Sequence, residues 1–174
     1  HSRSMSKALL LIDLQNDYFP GGHFPLWNTD ATLATIEEAI RRARAHGVHV
    51  IHVQHIARGG LAPFFNEGTP GAEIHPRVLA AAPTDPVIIK AFADSFWETN
   101  LEETLRARGV TELLVAGMMT QNCVTHTALS KTAEPYAVTI LTDATTTVTE
   151  LLHLIALHAC STRVKLSTVA EALG

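Results

Sequence analysis

Ala8-Leu9-Leu10-Leu11-Ile12 is apolar at every position, has the length of a strand, and ends in Asp13. An alternating run could lie against a core on one side and water on the other; this one needs cover on both faces. Strands of that kind belong to parallel sheets flanked by helices. The rest of the chain fits such a sheet. A helix is expected over Asp30–His46, with Leu33, Ile36, Ala39, Ile40 and Ala43 at helical spacing and Gly47 as its stop. Strands are expected at Val48–Val53, Val87–Ile89, Glu112–Ala116, Ala137–Leu141 and Val164–Leu166. Further helices are expected over Asn100–Arg108, Thr120–Thr132 and Val148–Cys160, with a helical tail at Val169–Leu173. Strands alternating with helices predict an α/β fold, a mostly parallel sheet between two helical layers with right-handed crossovers. Between Gln54 and Pro86 the Gly and Pro residues are too frequent for a long regular element, and a connection of that length commonly covers a site.

Composition narrows the function classes. The chain has 174 residues, 47% of them hydrophobic and 17% charged, enough for one domain with a full core. A net charge of −4 and the lack of a basic run argue against nucleic-acid binding. No apolar stretch reaches membrane-spanning length and no signal peptide is visible, so a cytoplasmic location is expected. His1-Ser2-Arg3-Ser4 reads as a cloning remnant before Met5, leaving 5–174 as a single domain. Two cysteines, Cys123 and Cys160, read as free thiols. A dinucleotide site is not expected, because no G-x-G-x-x-G follows the first strand.

In doubly wound sheets, ligands bind beyond the carboxyl ends of the strands. Asp13 follows the first strand, Lys90 the third and Cys123 the fourth, so all three emerge at one edge. Each alone has a bland reading: a cap, a surface lysine, a small buried helix residue. Together they suggest a nucleophile, an acid–base group and a cation. With Thr120 as N-cap, Cys123 falls in the first helical turn, where unpaired N–H groups and the helix dipole should lower its pKa.

These residues sit in longer motifs. Leu11-Ile12-Asp13-Leu14-Gln15-Asn16-Asp17-Tyr18 resembles the opening motif of the isochorismatase-like cysteine hydrolases. Gly68–Ile74, Lys90–Phe96 and Ala116–Val124 resemble further motifs of that family in the same order. The resemblance implies a six-stranded parallel sheet of order 3-2-1-4-5-6 and a triad of Asp13, Lys90 and Cys123. It also implies a cis peptide at Met118-Met119 and an oxyanion hole from the N–H groups of Met119 and Cys123. In that strand order Lys90 starts about 10 Å from Asp13, two strand spacings away, and its side chain must reach back.

Nicotinamidases of the family carry a metal site after strand two, in an Asp-x-His pattern followed by another His. Here the region reads His52-Val53-Gln54-His55-Ile56-Ala57-Arg58, without that carboxylate. His49, His52 and His55 resemble a ligand cluster, but on a strand His52 points away from the other two. No metal or other cofactor is expected. Isochorismatases proper act on a vinyl ether and generally lack the cysteine, so Cys123 favours an amide-like carbon. The expected function is hydrolysis of a non-peptide C–N bond in a small amide, ureido or carbamoyl compound. A vinyl-ether hydrolase and a thiol redox-sensing or binding module are the alternatives.

Phe19, Phe65, Phe92 and Phe96 are candidates for an apolar substrate wall, with surface-loop packing as the alternative for Phe65 and a core or subunit-contact role for Phe96. Gln121 and His126 flank the nucleophile and could hydrogen-bond substrate. Cys160 reads as a core residue, and His153 and His158 have no evident partner. A small-molecule substrate and a homo-oligomer, dimer or larger, are the expected partners.

Overall fold

Ser6–Ile12 forms β1, and the side chains from Ala8 onward are buried. The computed structural model describes residues 6–174; the reading of residues 1–4 as a cloning remnant lies outside them. Parallel to β1 run β2 (His49–His55) on one side and β4 (Val110–Met118) on the other. With β3 (Val87–Lys90), β5 (Ala137–Thr146) and β6 (Lys165–Ser167), the sheet order is β3-β2-β1-β4-β5-β6. All pairs are parallel. The order reverses between β1 and β4, the switch point beyond whose strand ends, after Ile12 and Met118, doubly wound sheets bind their ligands.

Period two along β1 divides the core. Leu9 and Leu11 pack with Leu33, Ile36 and Ile40 of α1 (Thr29–Ala45), whereas Leu10 and Ile12 pack with Leu101 and Leu105 of α3 (Leu101–Ala107). Leu157 and Cys160 of α5 (Glu150–Cys160) belong to that second layer, and Cys160 is a free, buried thiol as expected. Val169 of α6 (Val169–Ala172) closes the first. Among the described residues no helix is long and apolar enough to cross a membrane.

The breaker-rich 54–86 segment, expected to hold no long regular element, carries a short helix, α2 (Pro76–Ala81), started by a proline at its first position and by the His75 ring, whose Nδ1 accepts from the Arg77 N–H. One expectation needs correction: the helix expected over Thr120–Thr132 is broken. Thr120–Val124 is a wide π-type turn, α4 covers only Thr125–Ala128, and Lys131–Ala133 is a separate 3-10 turn. A hydroxyl explains the first break: Thr125 Oγ1 donates to the Thr120 carbonyl at 2.6 Å, five residues back, which favours the wider turn.

Gly117 is the tightest point of the sheet. Its φ is +120°, and a Cβ there would lie 2.0 Å from the Ile12 carbonyl oxygen. Gly117→Ala must separate β1 from β4 one residue short of Asp13, in a backbone region that disfavours side chains. A loss of at least about 2 kcal/mol is expected, a fall in Tm of roughly 4–8 °C by thermal melting.

Candidate active site

Asp13 leaves the end of β1 in the left-handed region, with φ 53°, and its N–H donates to the Val53 carbonyl at 3.0 Å. A non-glycine residue in that conformation is held there by its surroundings. Its carboxylate is fully buried, and neither oxygen has a hydrogen-bond partner among the described residues. What faces it is the Lys90 ammonium, 3.2 Å from Oδ2, in an ion pair with both side chains sealed from solvent.

Lys90 ends β3 and reaches across β2. Its Nζ lies 2.9 Å from His55 Nδ1, 3.0 Å from the Phe92 carbonyl and 3.2 Å from Cys123 Sγ. The ammonium therefore bridges the carboxylate and the thiol. Asp13, Lys90 and Cys123, predicted to share one sheet edge, meet within a single contact cluster.

Cys123 sits in the Thr120–Val124 turn and is buried. The expected drop in its pKa through a helix N-terminus does not occur. No long helix stands behind it, and Thr120 does not cap: Met119 holds the N-cap position, and the Thr120 hydroxyl pairs with His153 Nδ1 at 2.7 Å. Burial pushes the thiol's pKa well above its ordinary range and the Asp13 carboxylate adds to this, while Lys90 opposes them. The resting sulfur thus keeps its proton beside the Asp13 side chain, which is ion-paired with Lys90. The Met118–Met119 peptide is cis.

The expected lining residues divide. Phe65 is buried beside the site, its ring 4.5 Å from Tyr18 and 6.0 Å from His55. Gln121 is half-buried, and its Oε1 has no hydrogen-bond partner among the described residues. Phe19 is buried against His75, with ring centroids 4.5 Å apart. Phe96 stacks on Tyr136 within the second core layer, the Phe92 ring is exposed while its carbonyl holds Lys90, and His126 is exposed and bonded to Asn122 of its own turn.

Two residues near the chemistry were not singled out from sequence. Tyr18 is buried, and its phenol pKa is raised by burial first, then by Asp13, Cys123 and Asp17, which keeps it a donor. Its signal was adjacency to the Asp13 motif. His153, read as partnerless, joins α5 to the cysteine turn through Thr120 and to β5 through the Thr142 carbonyl at 3.1 Å.

The β2 histidines do not gather as a ligand set. His52 Nε2 is tied to the Ala82 carbonyl at 2.8 Å, away from His55. Ligand-type atoms of Asp13, His55 and Cys123 do lie within 4.8 Å of one another, and the Lys90 ammonium touches all three. That positive charge stands where a cation would bind, so these residues do not fit the metal site of nicotinamidases.

The isochorismatase domain family matches residues 7–171. An uncharacterized isochorismatase family protein of Bacillus subtilis is 39% identical over 145 residues, 83% of this chain and 80% of its own length. A protein of Arabidopsis thaliana named a probable inactive nicotinamidase is 31% identical, over 87% of this chain and 86% of its own. The crystal structure of an isochorismatase family protein from Desulfovibrio vulgaris superposes with a TM-score of 0.87 at 28% identity, covering 96% of each chain. Relatives also include enzymes named for amide hydrolysis, a nicotinamidase and a ureidoacrylate amidohydrolase. The shared sheet order, the motif-bearing strand ends and these matches place the chain in the isochorismatase family of hydrolases.

Proposed function

We propose that this protein is a cysteine hydrolase that cleaves a non-peptide C–N bond in a small amide, ureido or carbamoyl compound. The observation that carries this reading is the Asp13 carboxylate: buried, without a hydrogen-bond partner among the described residues, and set beside a thiol that holds its proton. Asp13 takes that proton as Sγ attacks the carbonyl carbon, and the carbonyl electrons move to oxygen. The N–H groups of Met119 and Cys123 receive the oxyanion. As the intermediate collapses the C–N bond breaks, Asp13 protonates the departing nitrogen, and a thioester remains on Cys123. Water attacks the thioester with Asp13 as base, the acid leaves, and the thiol regains its proton. Lys90 balances the negative charge that passes between carboxylate, sulfur and oxyanion.

Phe65, whose ring lies 6.0 Å from that of His55, and Tyr18 packed against it are assigned the substrate wall, and Gln121 Oε1 the role of acceptor to a substrate N–H. A screen of small amides, nicotinamide, carbamoyl amino acids and isochorismate, read for ammonia and for pyruvate, tests the reaction class. Ammonia or amine release is expected. Pyruvate release that survives loss of the thiol would instead mark a vinyl-ether hydrolase.

The protein is also proposed to act in the cytoplasm, where Cys123 and Cys160 stay free thiols, and to self-associate. Helix α5 exposes Leu151, Leu154 and Ile155, and a second copy would cover that apolar stripe. Leu154→Glu is expected to shift the light-scattering mass towards the monomer; an unchanged mass would place the contact elsewhere.

A further inference from the structure

We propose that His55 is a positioning residue of this site: as a neutral imidazole it accepts a hydrogen bond from Lys90 at Nδ1 and so aims the ammonium at both Asp13 and Cys123. The inference rests on the hydrolase reading only for its consequence in turnover. Its geometric content concerns Lys90 and the thiol alone.

Register brings the two residues together. His55 pairs with Lys90 at the ends of β2 and β3, so their side chains stand on the same face of the sheet. Because β2 lies between β3 and β1, the lysine must pass beside His55 to reach Asp13. The resulting contact, 2.9 Å, is the shortest that Nζ makes with a side chain. An ammonium only donates, so Nδ1 must be the acceptor and the ring proton must lie on Nε2.

The backbone of His55 is held as firmly as its ring. Gln15, fully buried, accepts from the His55 N–H at 2.8 Å and donates to the His55 carbonyl at 2.8 Å. Gln15 also donates to the Ala72 carbonyl, which ties β2 to the segment before α2. The loop after β1 therefore fixes the residue that steers Lys90 towards β1.

A protonated His55 could not accept from Lys90 and would set a second cation against it. Three titratable groups face the ring: Lys90 from β3, Asp13 after β1 and Cys123 from its turn. Burial first, and then Lys90, hold the imidazole pKa below its ordinary value, with Asp13 opposing. The neutral acceptor is thereby kept through neutral pH and is lost only in acid.

The test is the rate at which iodoacetamide alkylates Cys123 in the full chain without substrate, measured from acid to neutral pH for wild type, His55→Leu and His55→Asn. Asn places Oδ1 where Nδ1 stood; Leu keeps the volume without an acceptor. Leu is expected to slow alkylation about ten- to a hundredfold, the usual scale for a lost hydrogen bond to a charged group. Asn should restore the rate to within about threefold of wild type, an acceptor again meeting the ammonium. A wild-type rate in His55→Leu, or equal slowing in both variants, overturns the proposal. Should His55→Leu not fold, the pH profiles decide. The acid midpoint of His55→Asn is expected below that of wild type, because the titrating imidazole is gone; identical midpoints overturn the proposal. Because no amide is turned over, failure to find a substrate leaves this result readable.

Discussion

Replacing Cys123 by serine is expected to lower amide turnover by at least about a thousandfold while leaving the circular dichroism and melting temperature nearly unchanged. The sulfur is buried in a turn whose bonds are made by its neighbours, among them Thr125 to the Thr120 carbonyl and Thr120 to His153, and none of these needs the thiol. Serine is smaller and can still accept from Lys90, so the fold has little reason to change. What is lost is chemical. A serine hydroxyl is a poorer nucleophile than a thiol, and a single carboxylate is a weak base towards it. Full turnover in this variant would remove the thioester from the account.

Lys90→Met should act on activity and stability together. Among the described residues the lysine is the one cation touching Asp13, and both side chains are sealed from water. Removing one partner of such a pair leaves a buried charge uncompensated, at a cost of about 3–5 kcal/mol. For a chain of this size that is a Tm decrease on the order of 10 °C. Turnover should fall at least about a hundredfold, because the charge facing thiolate and oxyanion goes with it. The double variant Asp13→Asn/Lys90→Met separates the two effects. Replacing both charges removes the orphaned one, so the melting temperature should recover while turnover does not. Equal instability in single and double variants would mean that Lys90 stabilises mainly through its packed stem rather than its charge.

The pattern that made the sheet legible was the apolar run at Ala8–Ile12 and its repetition along the chain, since burial on both faces leaves few alternatives to a covered parallel sheet. Strand order came from the family resemblance, because short apolar runs do not state which neighbour they pair with. The three polar groups at strand ends were legible for the same reason as the sheet: topology alone puts them at one edge. The cysteine turn was misread because Thr120-Gln121-Asn122 looks like a helix start, whereas a hydroxyl further on, Thr125, bonds back and widens the turn. The thiol's expected acidity failed with it. Burial depends on what packs around Cys123 from Asp13, Lys90 and the strand ends, and no local pattern carries that information. The contact between His55 and Lys90 was hidden for a related reason: it depends on the register between β2 and β3, and their separation in sequence conceals it.

The most direct test of the central claim is intact-mass measurement of the chain during turnover of an amide that releases ammonia or an amine, followed by peptide mapping. Covalent catalysis by Cys123 predicts an adduct with the mass of the acyl group, located on that residue, forming with the first equivalent of released amine and decaying with hydrolysis. Amine release at full rate with no acyl adduct on Cys123 at any time, and the same rate in Cys123→Ser, would contradict it. So would a chain that turns over none of the screened amides and gains only oxygen on Cys123 under mild peroxide, which is the behaviour of a redox-sensing thiol.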